Sequence, residues 1–190
     1  MERIFGRYSD SFGDSILSTG SADVKLGENE RRQPDGSFQA RGKKKPNTQE
    51  VETVPSVIFE VMIHHVEPFV DVANRYIRPD NSICFVFIIR IFQEREGGIP
   101  MVAVAYSRTK IGKPRRCASV SFGTVALDDA DASELGTLIG VGTNRDSDEY
   151  LFLSIAPKYL YFHADKPEGA GELRVDLREL RSVYLEVAQK

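Results

Sequence analysis

The chain's most apolar stretch runs from Ile83 to Phe92, ICFVFIIRIF, interrupted only by Arg90. A run of that length, rich in β-branched and aromatic residues, predicts a strand covered on both faces. Val57 to Ile63, VIFEVMI, is a second run of strand length, entered through Pro55. Between them Val66, Phe69, Val70, Ala73 and Ile77 follow helical spacing, so one stripe of an amphipathic helix is predicted there. Glu67 and Pro68 suit its first turn, and Pro79-Asp80-Asn81 ends it. Met101 to Tyr106 and Ala118 to Val125 are further strand candidates. Gly97-Gly98 and Gly112-Lys113-Pro114 supply turns between them. Tyr150 to Ile155 and Tyr159 to His163 predict one last hairpin. Leu173, Leu177, Leu180, Tyr184 and Val187 mark a C-terminal amphipathic helix.

The flanks are more polar. Residues 1–22 read as a loose arm with a short helix near Phe12 to Leu17. Residues 27–50 read as a strand or hairpin around Asp35 to Phe38 followed by a long exposed loop. Residues 126–148 are acidic and glycine-rich, with room for one short helix. The order predicts an α/β chain of mixed α+β type, a central mixed sheet flanked by helices. With 190 residues there is material for one domain, over 23–190, with a mobile basic loop near 39–52.

Composition adds exclusions. Hydrophobic residues are 41% and charged residues 28%, ordinary for a globular protein. No run of about 18 apolar residues is present, so no membrane span is expected. The charged start lacks an apolar signal core, and two cysteines make no disulfide framework, so an intracellular protein of cytoplasm or nucleus is expected. The net charge of −3 argues against a generic polyanion binder. Charge is uneven, however. Residues 31–45 carry six basic side chains against Asp35 alone, 108–116 carry five and no acid, and 128–149 carry seven acids against Arg145. Such asymmetry fits a phosphate-facing surface with a solvated back, and it equally fits wet loops.

Glu60 is the most informative residue. It sits in the middle of a predicted buried strand, where a glutamate needs a partner or a metal. Alternation puts Ile58, Glu60 and Met62 on one face. A strand-end glutamate that reaches solvent, or pairs with an arginine such as Arg90, is the structural alternative. Asp35, in Pro34-Asp35-Gly36, is by itself a turn signal. His64-His65 follows the strand, and neighbouring strand residues point to opposite faces, so the two are not expected to share one ligand. His64 alone shares the parity of Glu60.

Taken together, Pro34-Asp35-Gly36-Ser37-Phe38, then a loop, then Pro55-Ser56-Val57-Ile58-Phe59-Glu60-Val61 resembles the PD-(D/E)XK nuclease superfamily in its restriction-endonuclease-like branch. Ser121 to Val125, Leu151 to Leu160 and Val175 to Leu180 agree in order, so the resemblance spans roughly residues 24–186. It implies a restriction-endonuclease-like fold in which Asp35 and Glu60 hold Mg²⁺ for hydrolysis of nucleic-acid phosphodiesters. A basic residue would accompany them. The motif lysine position is Met62, and a position often Ser in that branch is Ile63. The missing charge then falls to Arg75 as a catalytic candidate. Lys43, Lys44, Lys45, Arg115 and Arg116 would be nucleic-acid contacts. Three readings stay open: a metal-dependent nuclease, a catalytically inactive descendant binding nucleic acid or a protein partner, and an unrelated intracellular domain with Glu60 as a structural ion-pair member, which an edge strand at 57–63 with Glu60 exposed would support.

Overall fold

The computed structural model describes residues 15–26, 30–45, 47–65, 67–135 and 151–188. Its centre is a six-stranded mixed sheet in the order β1-β4-β5-β6-β7-β8. The strands are β1 (Ile16–Ser18), β4 (Gly36–Ala40), β5 (Val57–Ile63), β6 (Phe85–Ile91), β7 (Met101–Arg108) and β8 (Pro114–Ser121). All neighbours are antiparallel except β5 and β6. A parallel pair needs a crossover, and helix α1 (Phe69–Tyr76) provides it. Two further antiparallel pairs complete the strands: β2 (Val24–Lys25) with β3 (Arg31–Arg32), and β9 (Phe152–Ile155) with β10 (Leu173–Asp176). The remaining helices are α2 (Asp129–Leu135), α3 (Pro157–Leu160) and α4 (Leu177–Ala188).

β6 is buried along its whole length, as the unbroken apolar run predicts. Its odd residues Phe85, Phe87, Ile89 and Ile91 enter one cluster with Leu160, Leu177 and Leu180 of α3 and α4. Its even residues Val86 and Ile88 enter the other, with Phe69, Val72, Ala73 and Tyr76 of α1. Val24 and Leu26 of the β2–β3 hairpin close that second face. The hydroxyl of Tyr161 bonds Ser15 at 2.9 Å, tying the β1 edge to the α3 region.

The predicted β5 matches residue for residue, and the predicted alternation of its faces holds. The mixed α/β class holds as well. Other boundaries shift. Residues 16–18 are an edge strand rather than helix, because pairing with β4 satisfies their backbone and buries Ile16. Residues before 15 lie outside the described part. Within α1 the buried stripe is Phe69, Val72, Ala73 and Tyr76, continued by Ile77, and Val70 is exposed. Val66 lies outside the described residues. The basic loop at 39–52 is a bonded hairpin, with Lys44 bridged to Val51 and Lys45 N–H donating to the Glu50 carbonyl at 2.9 Å. Tyr159 to His163 is not a strand: Pro157 at the first helical position starts a helical turn, and β10 pairs with β9 instead. Leu173 therefore belongs to a strand, and Val187 is exposed. β8 begins at Pro114, earlier than predicted, because its outer half needs only one covered face. It stops before Gly123, where a Cβ would lie 2.4 Å from the Ile99 carbonyl oxygen, so the close approach of these backbones requires glycine.

Phe59 joins three neighbouring strands. Its ring lies 5.4 Å from Phe38, edge to face, and 5.2 Å from Phe87. Phe59→Ala is expected to cost about 3–5 kcal/mol, through lost burial plus the cavity left behind. Urea denaturation of the two proteins measures this, and a loss under about 1 kcal/mol would contradict three-strand packing at this position.

Candidate acidic site on the central sheet

The β4–β5 register builds the site. Gly36 pairs with Phe59, so the preceding Asp35 falls beside Glu60. Pro34 has no N–H to offer the ladder, and here the ladder ends. Asp35 Oδ2 instead accepts the Val61 N–H at 2.7 Å, which fixes the carboxylate against β5. Glu60 is half-buried on the α1 face. Tyr76, in the last turn of α1, donates its hydroxyl to Glu60 Oε1.

Burial pushes the Glu60 carboxyl up to about 7. The Tyr76 hydrogen bond opposes the shift, and the Asp35 charge adds to it. The two carboxyl groups therefore interact directly. Burial and Glu60 push Tyr76 above the usual phenol range, so it remains a donor. The positive charges of Arg32 and Arg75 act weakly on the Tyr76 hydroxyl in the opposite direction. Two converging carboxylates beside a phenol can hold a hard cation that keeps several of its own waters. Among the described residues no cluster of three or more His, Cys, Asp or Glu side chains forms, so the protein donors here are the two carboxylates.

The structure brings Asp35 and Glu60 together and does not join Arg75 to either carboxylate. Arg75 is ion-paired with Glu67. Arg90, offered as a structural partner for Glu60, lies opposite Met62, two residues further along. Its guanidinium sits 3.8 Å from the Phe69 ring centre and donates to the Glu67 carbonyl. Met62 is 8% exposed and packed among Ile58, Phe69 and Val72, so the motif lysine position is part of the core. β5 is an interior strand with Glu60 half-buried, so the exposed edge strand that would have supported the third reading does not form.

The basic residues assigned to nucleic acid separate. Lys43 is a correction. It is 0% exposed, and its Nζ donates to the Val54 carbonyl at 2.7 Å and to Ser82 Oγ at 3.0 Å, out of reach of a phosphate. Lys44 and Lys45 are exposed beyond the far end of β4, engaged by Gln49 and Glu50 at 2.6 Å. Arg115 and Arg116 lie three strands from β5, about 14 Å at the usual strand spacing. Arg116 donates to the Leu135 carbonyl. Alternation sends the two to opposite faces, so they form no common grip.

Two contributors were missed in the sequence. Tyr76 could have been found from the spacing 69, 72, 73, 76, which ends on a residue with a polar tip. Arg32 could not, because the hairpin that carries it is only two residues long on each side. Comparison with protein-family models, with curated proteins and with solved structures finds no match to this chain. No helix among the described residues is long and apolar enough to cross a membrane.

Two pH dependences follow. Glu60 holds its proton more tightly folded than unfolded. Its contribution to stability is complete below pH 4.5 and lost as pH rises through about 7. Without divalent cation, stability is expected to fall by an amount on the order of 1–3 kcal/mol across that window, and Glu60→Gln should flatten the profile. Identical profiles would remove the buried carboxyl from consideration. Lys43 runs the other way. Burial lowers its pKa to about 8 from 10.5, so its charge destabilises the fold below pH 8 and deprotonation relieves this as pH rises. The stability difference between wild type and Lys43→Met should shift in favour of wild type from pH 8 to 10.5, as read by denaturant midpoints.

Proposed function

We propose that the Asp35–Glu60 pair is a Mg²⁺ site on a restriction-endonuclease-like domain of the PD-(D/E)XK type, acting in hydrolysis of nucleic-acid phosphodiesters. The observation that carries this is the convergence of the two carboxylates on neighbouring antiparallel strands, with the Glu60 pKa raised to about 7. An acidic pair in that state is short of positive charge, and a hard cation supplies it. The strand order around the pair agrees: the Asp35 strand lies antiparallel to the Glu60 strand, and a helix then leads to a parallel neighbour. When bound, Mg²⁺ would polarise phosphoryl oxygens and lower the pKa of a coordinated water.

The chain's own groups have separate parts. The Val61 N–H holds Asp35 in place, and the Tyr76 hydroxyl orients Glu60. Arg75, once Glu67 releases it, would be the chain's own group to counter a phosphate charge. Because Glu60 must be ionised to bind a cation, affinity should strengthen as pH rises through about 7, with a proton released. A second reading, a non-catalytic descendant that binds nucleic acid or protein, is favoured by one observation. Met62 is sealed into the core, so no lysine equivalent stands beside Glu60 on β5.

The test is Mg²⁺-dependent cleavage of plasmid and oligonucleotide by purified protein, paired with Mg²⁺ titration calorimetry. Asp35→Ala and Glu60→Ala should each reduce cleavage by a factor on the order of 10² or more. Tyr76→Phe should cost about 10–100-fold in metal affinity or rate, as removal of a ligand's orienting partner does. Cleavage equal in wild type and both alanine variants would defeat the nuclease reading. Cation binding without cleavage would select the binding module.

A further inference from the structure

β5 and β6 are parallel, so both end on the same side, and the crevice outside the carboxyl ends of parallel strands is a recurrent ligand site. A cavity of about 270 Å³ opens there, lined by His64, His65, Arg90, Gln93, Arg95 and Asp131 among others. None of these figures in the acidic site.

The two histidines reach one cavity because the strand has ended. His64 takes a left-handed backbone, φ 53°, while its N–H still donates to the Ile91 carbonyl at 2.9 Å. The alternation expected of a strand is broken at that residue, and both imidazoles come to the same wall. A left-handed conformation at a non-glycine residue is a local cost that clusters at ligand sites. His65 Nδ1 accepts the Glu67 N–H at 3.3 Å, which leaves the proton of the neutral ring on Nε2 as a donor.

Opposite, Arg95 and Gly98 exchange both backbone hydrogen bonds, at 2.9 and 3.0 Å, in a tight turn. Gly98 has φ 143°, and a Cβ there would lie 2.1 Å from Thr124 Oγ1, so this turn needs glycine. It presents Arg95, held by Asp128 at 2.9 Å and by Asp131. Asp131, the carboxylate named in the lining, is thus turned onto Arg95. Arg90 is held over Phe69 and by the Glu67 carbonyl. The lining therefore carries two arginines, two histidines and a glutamine, with Asp131 and the adjacent Asp128 both paired to Arg95. Its volume is slightly below that of drug-sized ligand pockets.

We infer that this cavity binds a phosphate group, presented either as a small phosphomonoester or as the free anion. Guanidinium groups with fixed orientation suit planar, bidentate recognition of phosphate. The inference does not depend on the acidic pair: the acidic site would take a cation, and this one takes an anion.

The experiment is a ¹H–¹⁵N NMR titration of the full chain with inorganic phosphate, repeated with thymidine 5′-monophosphate. Saturable shifts confined to residues 64–68, 90–98 and 128–132 are expected. Arg95→Gln should weaken binding about tenfold or more, because it removes a cation and releases the Asp131 charge. Asp131→Asn should strengthen binding about threefold or more, by removing the repelling charge. Gln93→Ala, at an exposed position, is a control that leaves the fold alone and should weaken binding modestly. Monophosphate shifting the same residues more tightly identifies a nucleotide-type ligand, and phosphate binding the tighter identifies the free anion. No saturable shift, shifts elsewhere, or equal affinity across wild type, Arg95→Gln and Asp131→Asn would overturn the inference. Activity of the acidic site is not read in any arm, so its failure and this one are distinguishable.

Discussion

The register between β4 and β5 is the constraint on which the rest depends. Gly36 opposite Phe59 sets Asp35 beside Glu60, and it also inserts Phe38 against Phe59 in the core. A slip of one residue would turn every side chain of β4 to the other face, separating the carboxyl groups and removing Phe38 from its cluster. Core packing and site geometry are thus specified by the same ladder. The buried phenylalanines hold the register at one end. The Asp35 carboxylate, accepting the Val61 N–H, holds it at the other.

The sheet's two faces divide the work. One is apolar along its whole depth, closed by α3, α4 and the β9–β10 pair. The other, under α1, mixes an apolar cluster with Glu60, Tyr76 and Arg90. Helix α1 spans this second face. Its first residue, Phe69, carries the Arg90 guanidinium, and its last, Tyr76, carries the Glu60 carboxyl. The helix therefore sets the position of an acid at one end and a base at the other. An acid whose pKa burial raises to about 7 is a state that a folded protein tolerates at some cost to stability, and such groups concentrate where chemistry or binding needs them. Lys43 warns against reading every such group as functional. It is more deeply buried than Glu60, its pKa is shifted as well, and its three acceptors are the internal carbonyls and hydroxyl that join the 40–52 hairpin to Ser82 and Val54.

Legibility followed the length of the hydrophobic signal. β5 and β6 were readable because each is a run of seven residues whose neighbours on both sides are core. The two-residue strands β2 and β3 were not, since their stability comes from Val24 and Leu26 docking under α1 and not from any periodicity. The segment 157–163 carries an apolar run too short to separate strand from helical turn, and the choice fell to whichever strand could pair with β9. In α1 the stripe was misplaced by one position because Val70 and Val72 are equally apolar, and only the direction of the sheet beneath selects Val72. The acidic pair was readable as a pair of letters in order. Its partner Tyr76 was not, because a tyrosine at the end of a helical stripe has the same appearance whether its hydroxyl meets water or a carboxylate.

By itself the sequence determined the alternation of β5, the double burial of β6, the crossover helix between them, and the fact that one acid sits where an acid is costly. These are local consequences of side-chain period and desolvation, and they hold in any tertiary arrangement that buries the same runs. The tertiary structure alone decided which charges meet. It put Asp35 beside Glu60 through strand register, sent Lys43 into the interior, and split Arg115 from Arg116 across the sheet. It also broke the strand at His64, so that two neighbouring imidazoles share one cavity. Electrostatic partnership depends on distances between residues remote in sequence, and those distances come into existence only when the sheet closes.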